Sequence, residues 1–197
     1  MGYRISACSS TSFHHKAVGD IPEVLREALN PLLETIESLT EQIKSIEKKI
    51  AEVIDRDYPE AGRLMQIPGV GPITALAYVL TLESPERFKK SRQVGPFLGL
   101  APGRDQSGTI DKQLPITKAG NIYLRSLLVN AAHYIIGPFG PESDVRHAGL
   151  RIAARGGKNA KKRAVVAVAR KLSTVMHRMW MDQADYIASK NSNEVAA

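Results

Sequence analysis

Residues 25–53, LREALNPLLETIESLTEQIKSIEKKIAEV, decide the fold. Leu25, Leu29, Leu32, Ile36, Leu39, Ile43, Ile46, Ile50 and Val53 follow one another at alternating intervals of four and three residues. A 4-3 repeat sustained over this length is the seam of a coiled coil, because it keeps one apolar edge of a helix turned toward a partner. Glu34, Glu41, Lys44, Glu47 and Lys48 fill positions between, which suits a narrow stripe with wet flanks. The seam implies a partner helix, in a hairpin of the same chain or in another chain. Self-association through Leu32, Ile36, Leu39, Ile43, Ile46 and Ile50 is therefore expected. The alternative is one amphipathic helix packed on its own domain. Pro31 lies early in the pattern and has no N–H to donate, so a kink or a break between two helices is expected there.

Charge is segregated around this seam. Residues 20–60 carry 11 Asp or Glu against 5 Lys or Arg, whereas residues 146–180 carry 10 Lys or Arg and no acid. The two regions must do different work, and the basic one favours a polyanion. Across 197 residues the formal charge is +7, a balance that nucleic-acid, ribosomal and membrane-surface proteins share. A single cysteine, Cys8, excludes an internal disulfide framework. No apolar run approaches the roughly 18 residues of a membrane span, and the first 20 residues lack the apolar core of a signal peptide. A cytoplasmic location is expected, with no membrane partner.

Beyond the seam, Tyr58-Pro59 ends the helix and Ile67-Pro68-Gly69-Val70-Gly71-Pro72 follows. A tight glycine turn before a helix that begins near Pro72 has the form of a helix-hairpin-helix element. Gly69 and Gly71 would let backbone amides approach a phosphate there. An ordinary helix-helix turn is the alternative reading. Glycines and prolines between Phe88 and Ser107 predict loop, with a short helix over residues 91–98. Asn121 is the expected N-cap of a helix carrying Leu124, Leu127, Leu128, Ala131, Ala132 and Ile135. Gly137-Pro138 stops that helix, and a last one is expected over residues 161–185. The chain thus divides into residues 1–19, a disordered or partial segment; 20–60, the coiled coil; 61–186, a compact helical domain; and 187–197, a tail. The fold class is all-α: a long N-terminal coiled-coil helix or hairpin, then a helical domain with a helix-hairpin-helix-like element.

Candidate chemistry lies in Arg104-Asp105-Gln106-Ser107-Gly108, shortly before Ile116-Thr117-Lys118-Ala119-Gly120-Asn121. A serine hydroxyl there, flanked by Arg104, Lys118 and Arg125, has the elements of an attack on a phosphodiester, with cations to neutralise the developing charge. Taken alone, the residues are better explained as a polar Ser-Gly turn. Arg155, Lys158, Lys161, Lys162 and Arg163 place five cations within nine residues, beside Gly156-Gly157, and mark a phosphate-binding segment. His14 and His15 are adjacent, but with His133, His147 and His177 they lack Cys or carboxylate spacing typical of a metal site, so structural or surface roles are expected and no metal site is assigned. Trp180 and Tyr123 sit at helical spacing and read as core rather than as base-stacking platforms.

Four segments, MQIPGVGPITALAYVLTL (65–82), RQVGPFLGLAPGRDQSG (92–108), ITKAGNIYLRSLLVNAA (116–132) and RGGKNAKKRAVVAVARK (155–171), resemble the C-terminal domain of insertion-sequence-110 (IS-116/IS-110/IS-902 type) family transposases, which include the Piv-type DNA invertases. The likeness covers most of residues 25–180 in order. It implies a DNA transposase or site-specific recombinase with a composite active site. An acidic N-terminal domain would bind Mg2+ through four carboxylates, and this domain would supply a serine, matched by motif to Ser107, that joins DNA covalently. The likeness also implies DNA and a structured guide RNA as partners, and a homo-oligomer joined by its coiled coils. The departure is at the N-terminus, where the family would place a domain of the order of 100–150 residues before the seam. Carboxylates of residues 20–60 lie on the heptad helix, so this chain is expected to bind no cofactor itself and to be inert alone as an enzyme. A non-catalytic, oligomeric nucleic-acid-binding module is the alternative, and a structural oligomerisation protein with an incidental basic face is a third.

Overall fold

The computed structural model describes residues 12–107 and 110–189; Cys8, Gly108 and the 190–197 end of the expected tail lie outside the described residues. The chain forms two compact units, residues 1–52 and 53–197.

In the first unit, α1 (Phe13–Asp20) is followed by α2 (Glu23–Asp57), whose last turns belong to the second unit. The 35-residue α2 runs through Pro31 without a break. Of the kink or break expected there, the break is absent. Pro31 is exposed, so the carbonyl that loses its intrahelical donor can be hydrated. Thr35 Oγ1 donates to the Pro31 carbonyl at 2.8 Å, one turn on. Leu33 is buried, while the seam residues Leu25, Leu32, Leu39, Ile43 and Ile46 are 50–59% exposed. At these five positions the apolar edge read from the heptads is exposed among the described residues, while Leu29, Ile36, Ile50 and Val53 are half-buried.

The second unit is organised around its longest helix. Tyr58 precedes a proline and takes an extended φ of −137°, which separates α2 from the short α3 (Pro59–Leu64). Ile67-Pro68-Gly69-Val70 then closes a tight turn, the Val70 N–H donating to the Ile67 carbonyl at 2.9 Å. Pro68 in second place and Gly69 in third, with φ +89°, give this turn the composition of type II. Pro72 opens α4 (Pro72–Leu82). Two 3₁₀ turns, Pro85–Arg87 and Ser91–Gln93, lead to a single turn of helix, α5 (Val94–Phe97). Next comes an antiparallel ribbon, β1 (Pro102–Ser107) and β2 (Ile110–Ile116), where the sequence predicted loop. Helices α6 (Ile122–Ile136), α7 (Asp144–Ala154) and α8 (Ala160–Asp182) complete the unit. The all-α class holds, with this two-stranded ribbon as an insertion.

Helix α8 is central because its buried residues form an unusually broad stripe. Ala164, Val165, Val168, Ala169, Leu172, Ser173, Met176 and His177 recur in pairs every fourth residue, so neighbours pack on two sides. Small residues permit close approach: a Cβ on Gly149 of α7 would stand 2.5 Å from Val168 Cγ2. Tyr78 of α4 donates its buried hydroxyl to the Ser173 carbonyl at 2.6 Å. Burial pushes that phenol well above its ordinary pKa. His177 is 1% exposed, with Nε2 2.9 Å from the Pro85 carbonyl and Nδ1 3.0 Å from Ser91 Oγ. A neutral ring protonated at Nε2 satisfies both contacts, and burial lowers the pKa. His177 is thus a structural histidine, as expected.

A ribbon with an exposed serine and a basic corner

Asn121 caps α6 as its sequence position predicts, Oδ1 accepting from the Leu124 N–H at 2.9 Å. Before it, Lys118 and Gly120 both have positive φ, +56° and +72°. This bend brings residues 117–120 against 97–101, with the Thr117 N–H donating to the Ala101 carbonyl at 3.0 Å and the Lys118 N–H to that of Gly99 at 3.1 Å. The approach is so close that a Cβ on Gly120 would collide with the Phe97 carbonyl, and one on Gly99, at φ +70°, with the Ala119 backbone. Neither position tolerates a side chain.

Arg125 locks this junction. It is 9% exposed, and Nη1 donates to the carbonyls of Leu98 at 3.0 Å and Ala119 at 2.7 Å. The guanidinium therefore holds the two segments from which the ribbon springs.

From that base, Pro102 pairs with Ile116, Arg104 with Gln113 and Ser107 with Ile110, with a bulge between Pro102 and Arg104. Ser107 stands exposed at the far end, and Arg104 is also exposed. Strand alternation sets Arg104 and Ser107 on opposite faces, about 10 Å apart along β1. Lys118 is exposed at the base, about 20 Å or more from Ser107 by strand rise. The geometry gathers Lys118, Asn121 and Arg125 at the foot of the ribbon and leaves Ser107 apart from all three. Ile122 and Tyr123 are 74% and 58% exposed at the start of α6. Tyr123 is not core, because the apolar face of α6 is formed by Leu124, Leu128, Ala131, Ala132 and Ile135.

The second cationic feature is the corner between α7 and α8. Gly156 and Gly157 take φ of +72° and +88°, turning the chain at once into α8. Arg155, Lys158, Lys161, Lys162 and Arg163 are all exposed there. Only Arg163 has a contact of note, Nη2 donating to the Gly156 carbonyl at 3.2 Å. Desolvation therefore costs little when an anion takes up the remaining donors.

The glycines of the 67–72 turn differ in role. A Cβ on Gly69 would lie 2.8 Å from Tyr134 and 3.3 Å from the Ala131 carbonyl, so this glycine serves packing on α6. Gly71 meets nothing within 4 Å and leaves the start of α4 open to an anion. Among the described residues, carboxylates do not gather into a Mg2+ site; the one group of metal-binding type is His14, His15 and Glu37 in the first unit. No helix among them is long and apolar enough to cross a membrane.

The second unit is thus a helical domain that carries a two-stranded ribbon and an exposed basic corner. Residues 61–148 match the transposase IS116/IS110/IS902 family. The chain is 31% identical over 172 residues to the transposase for insertion sequence element IS1111A of Coxiella burnetii, covering 87% of this chain and 46% of that protein. It is 34% identical over 113 residues to the transposase for insertion sequence element IS1328 of Yersinia enterocolitica, covering 57% and 34%. With y4rJ of Sinorhizobium fredii the identity is 32% over 168 residues, covering 77% and 41%. The chain belongs to the IS110 family of transposases and spans less than half the length of these relatives.

Proposed function

We propose that this chain is the serine-bearing, DNA-engaging part of a transposase or site-specific recombinase. The observation that carries the reading is Ser107, exposed at the end of a ribbon whose base is rigidly clamped, within the segment that matches the family. In the reaction, Ser107 Oγ attacks a DNA phosphorus, the Oγ–P bond forming as the bond to the leaving sugar oxygen breaks. The hydroxyl proton passes to a base and the leaving oxygen takes up a proton, so the strand end is held as a phosphoserine ester. The charge that builds on phosphate oxygens needs cations close by, and on this chain only Arg104 shares the strand with Ser107. Among the described residues carboxylates do not gather into a Mg2+ site, so no step here is assigned to the acidic residues of this chain.

The corner at residues 155–163 holds nucleic-acid backbone, and the choice of sequence lies with other elements, a structured guide RNA among them. Helix α2 joins copies through its uncovered seam. A family member's acidic domain with its RNA, supplied to the full chain, tests the catalytic reading. Wild type is expected to yield a covalent protein–DNA adduct and Ser107→Ala none, with DNA affinity nearly unchanged because one hydroxyl contributes little contact. An adduct from the alanine variant would move the nucleophile elsewhere. Lys161→Ala/Lys162→Ala/Arg163→Ala tests the binding reading: the slope of log affinity against log salt should become shallower by about 2 to 3. An unchanged slope supports the alternative assignment of a merely solvated helix face.

A further inference from the structure

Three side chains brought together by α1 and α2 have no part in strand transfer. His14 and His15 are successive on α1, Glu37 lies on α2, and one ligand atom of each is within 4.8 Å of the other two. The imidazole rings are 4.0 Å apart between centroids, tilted by 46°. His14 Nε2 is 3.9 Å from Glu37 Oε1, beyond hydrogen-bond reach. His14 is 6% exposed, and its Nδ1 is buried without a hydrogen-bond partner. These groups line a cavity of about 170 Å³ together with Asn30, Leu33 and Glu34.

The nitrogen of His14 that faces Glu37 is Nε2, so it is the gathering of His14, His15 and Glu37 ligand atoms around one cavity that points to a bound ligand. Its sign follows from the lining: Glu34 and Glu37 repel an anion and attract a cation. Two imidazoles with one carboxylate suit Zn2+ and its divalent transition-metal neighbours, whereas Mg2+ and Ca2+ favour all-oxygen sets. We infer that His14, His15 and Glu37 form a binding site for a divalent transition-metal ion of the zinc class, which staples α1 onto α2. Tetrahedral ligands at about 2.0–2.1 Å from the metal stand roughly 3.3 Å from one another. Separations of 3.9 to 4.8 Å thus require a contraction of the order of 1 Å, within rotamer adjustment of the exposed His15 and Glu37. The cavity leaves room for water, or for Glu34, in the fourth place. The sequence pattern hides this set because Glu37 is 22 residues beyond His15, with a chain reversal between them.

The test is calorimetric titration of the metal-stripped full chain with ZnCl2, in a Cys8→Ser background so that the only thiol contributes nothing. One Zn2+ per chain is expected. His15→Ala and Glu37→Gln, both at exposed positions, should each weaken binding by at least the roughly tenfold that loss of a mere supporting contact costs. Circular dichroism of both variants checks the fold, since His14→Ala removes a buried group. His147→Ala, at an exposed histidine whose Nε2 is 2.6 Å from Glu142, should leave affinity unchanged. Co2+ in place of Zn2+ should show intense tetrahedral visible bands that are lost in His15→Ala. Stoichiometry well below one, unchanged affinity in both site variants, or an equal loss in His147→Ala would each overturn the site.

Discussion

Replacing Arg125 by alanine should release the serine ribbon from its scaffold and measurably destabilise the second unit. Two carbonyls lose their donor. That of Leu98, a residue wholly shielded from solvent, has no access to replacement water and contributes about 1–3 kcal/mol. That of Ala119 belongs to an exposed residue and can be rehydrated, so its loss is about 0.5–1.5 kcal/mol. The sum is about 2–4 kcal/mol. For a unit of this size each kcal/mol lowers Tm by roughly 2–4 °C, giving a fall of about 5–15 °C. Thermal melts followed by circular dichroism read this directly. Arg125→Lys should recover only part of the loss, because the lysine side chain is one atom shorter than the path to Nη1, the single nitrogen that serves both carbonyls. In the reconstituted strand-transfer assay, Arg125→Ala should lower adduct formation while the salt slope of DNA binding keeps its wild-type value. A variant that melts within about 1 °C of wild type would refute the clamp, and a salt slope shallower by about one would make Arg125 a phosphate contact instead.

Gly120→Ala should be at least as damaging, about 3 kcal/mol or more, since it combines a left-handed backbone with a Cβ driven into the Phe97 carbonyl; a wild-type melting curve would contradict the close approach. His177 has a lowered pKa when folded, so the unfolded chain binds more protons in acid. Its stabilising effect is complete above about pH 6.5 and is lost as pH falls through that value toward the folded pKa, so denaturant melts should show less stability at about pH 5.5 than at about pH 7.5, and a flatter profile for His177→Gln. Leu39→Glu and Ile46→Glu should dissociate the oligomer joined by α2, whose seam is exposed at both positions; sedimentation of wild type as a monomer at micromolar concentration would show that this edge has another cover.

Local patterns carried much of this fold into the sequence. The 3.6-residue periods of α6 and α8, the Asn121 cap and the proline at the start of α4 are each properties of a few neighbouring residues, and all stand as read. The break allowed at Pro31 does not occur, because the cost of the proline depends on whether the orphaned carbonyl is wet, which is a property of the surface. The ribbon was hidden for a different reason. Its strands have turn-rich composition and little alternation, and pairing is imposed by Gly99, Gly120 and Arg125, which come together only in three dimensions. One clue was available: Arg125 follows Leu124 and precedes Leu128 by three, on the buried side of α6, where a lone arginine is more often a clamp than a free cation. Tyr123, assigned to the core by the same periodicity, falls just off that side and is exposed.

The arrangement of charge and nucleophile has a consequence for how the domain must work. Arg104 is on the opposite strand face from Ser107, Lys118 is at the foot of the ribbon, and Arg125 turns its Nη1 to two carbonyls there. Stabilising a transition state needs donors about 3 Å from the charged oxygens, and strand rise alone separates Ser107 from the foot by several times that distance. Among the cations whose side chains are described, none stands against the proposed nucleophile. A clamped base with an exposed end is suited to carrying a side chain outward into a site whose remaining walls come from elsewhere. The clamp matters for rate as well as stability, because a nucleophile on a long lever loses placement quickly when its base loosens. A ribbon held at Gly99, Gly120 and Arg125 would keep the proposed nucleophile Ser107 within a narrow arc, and on the proposed reading the basic corner at residues 155–163 would hold nucleic acid on the same unit.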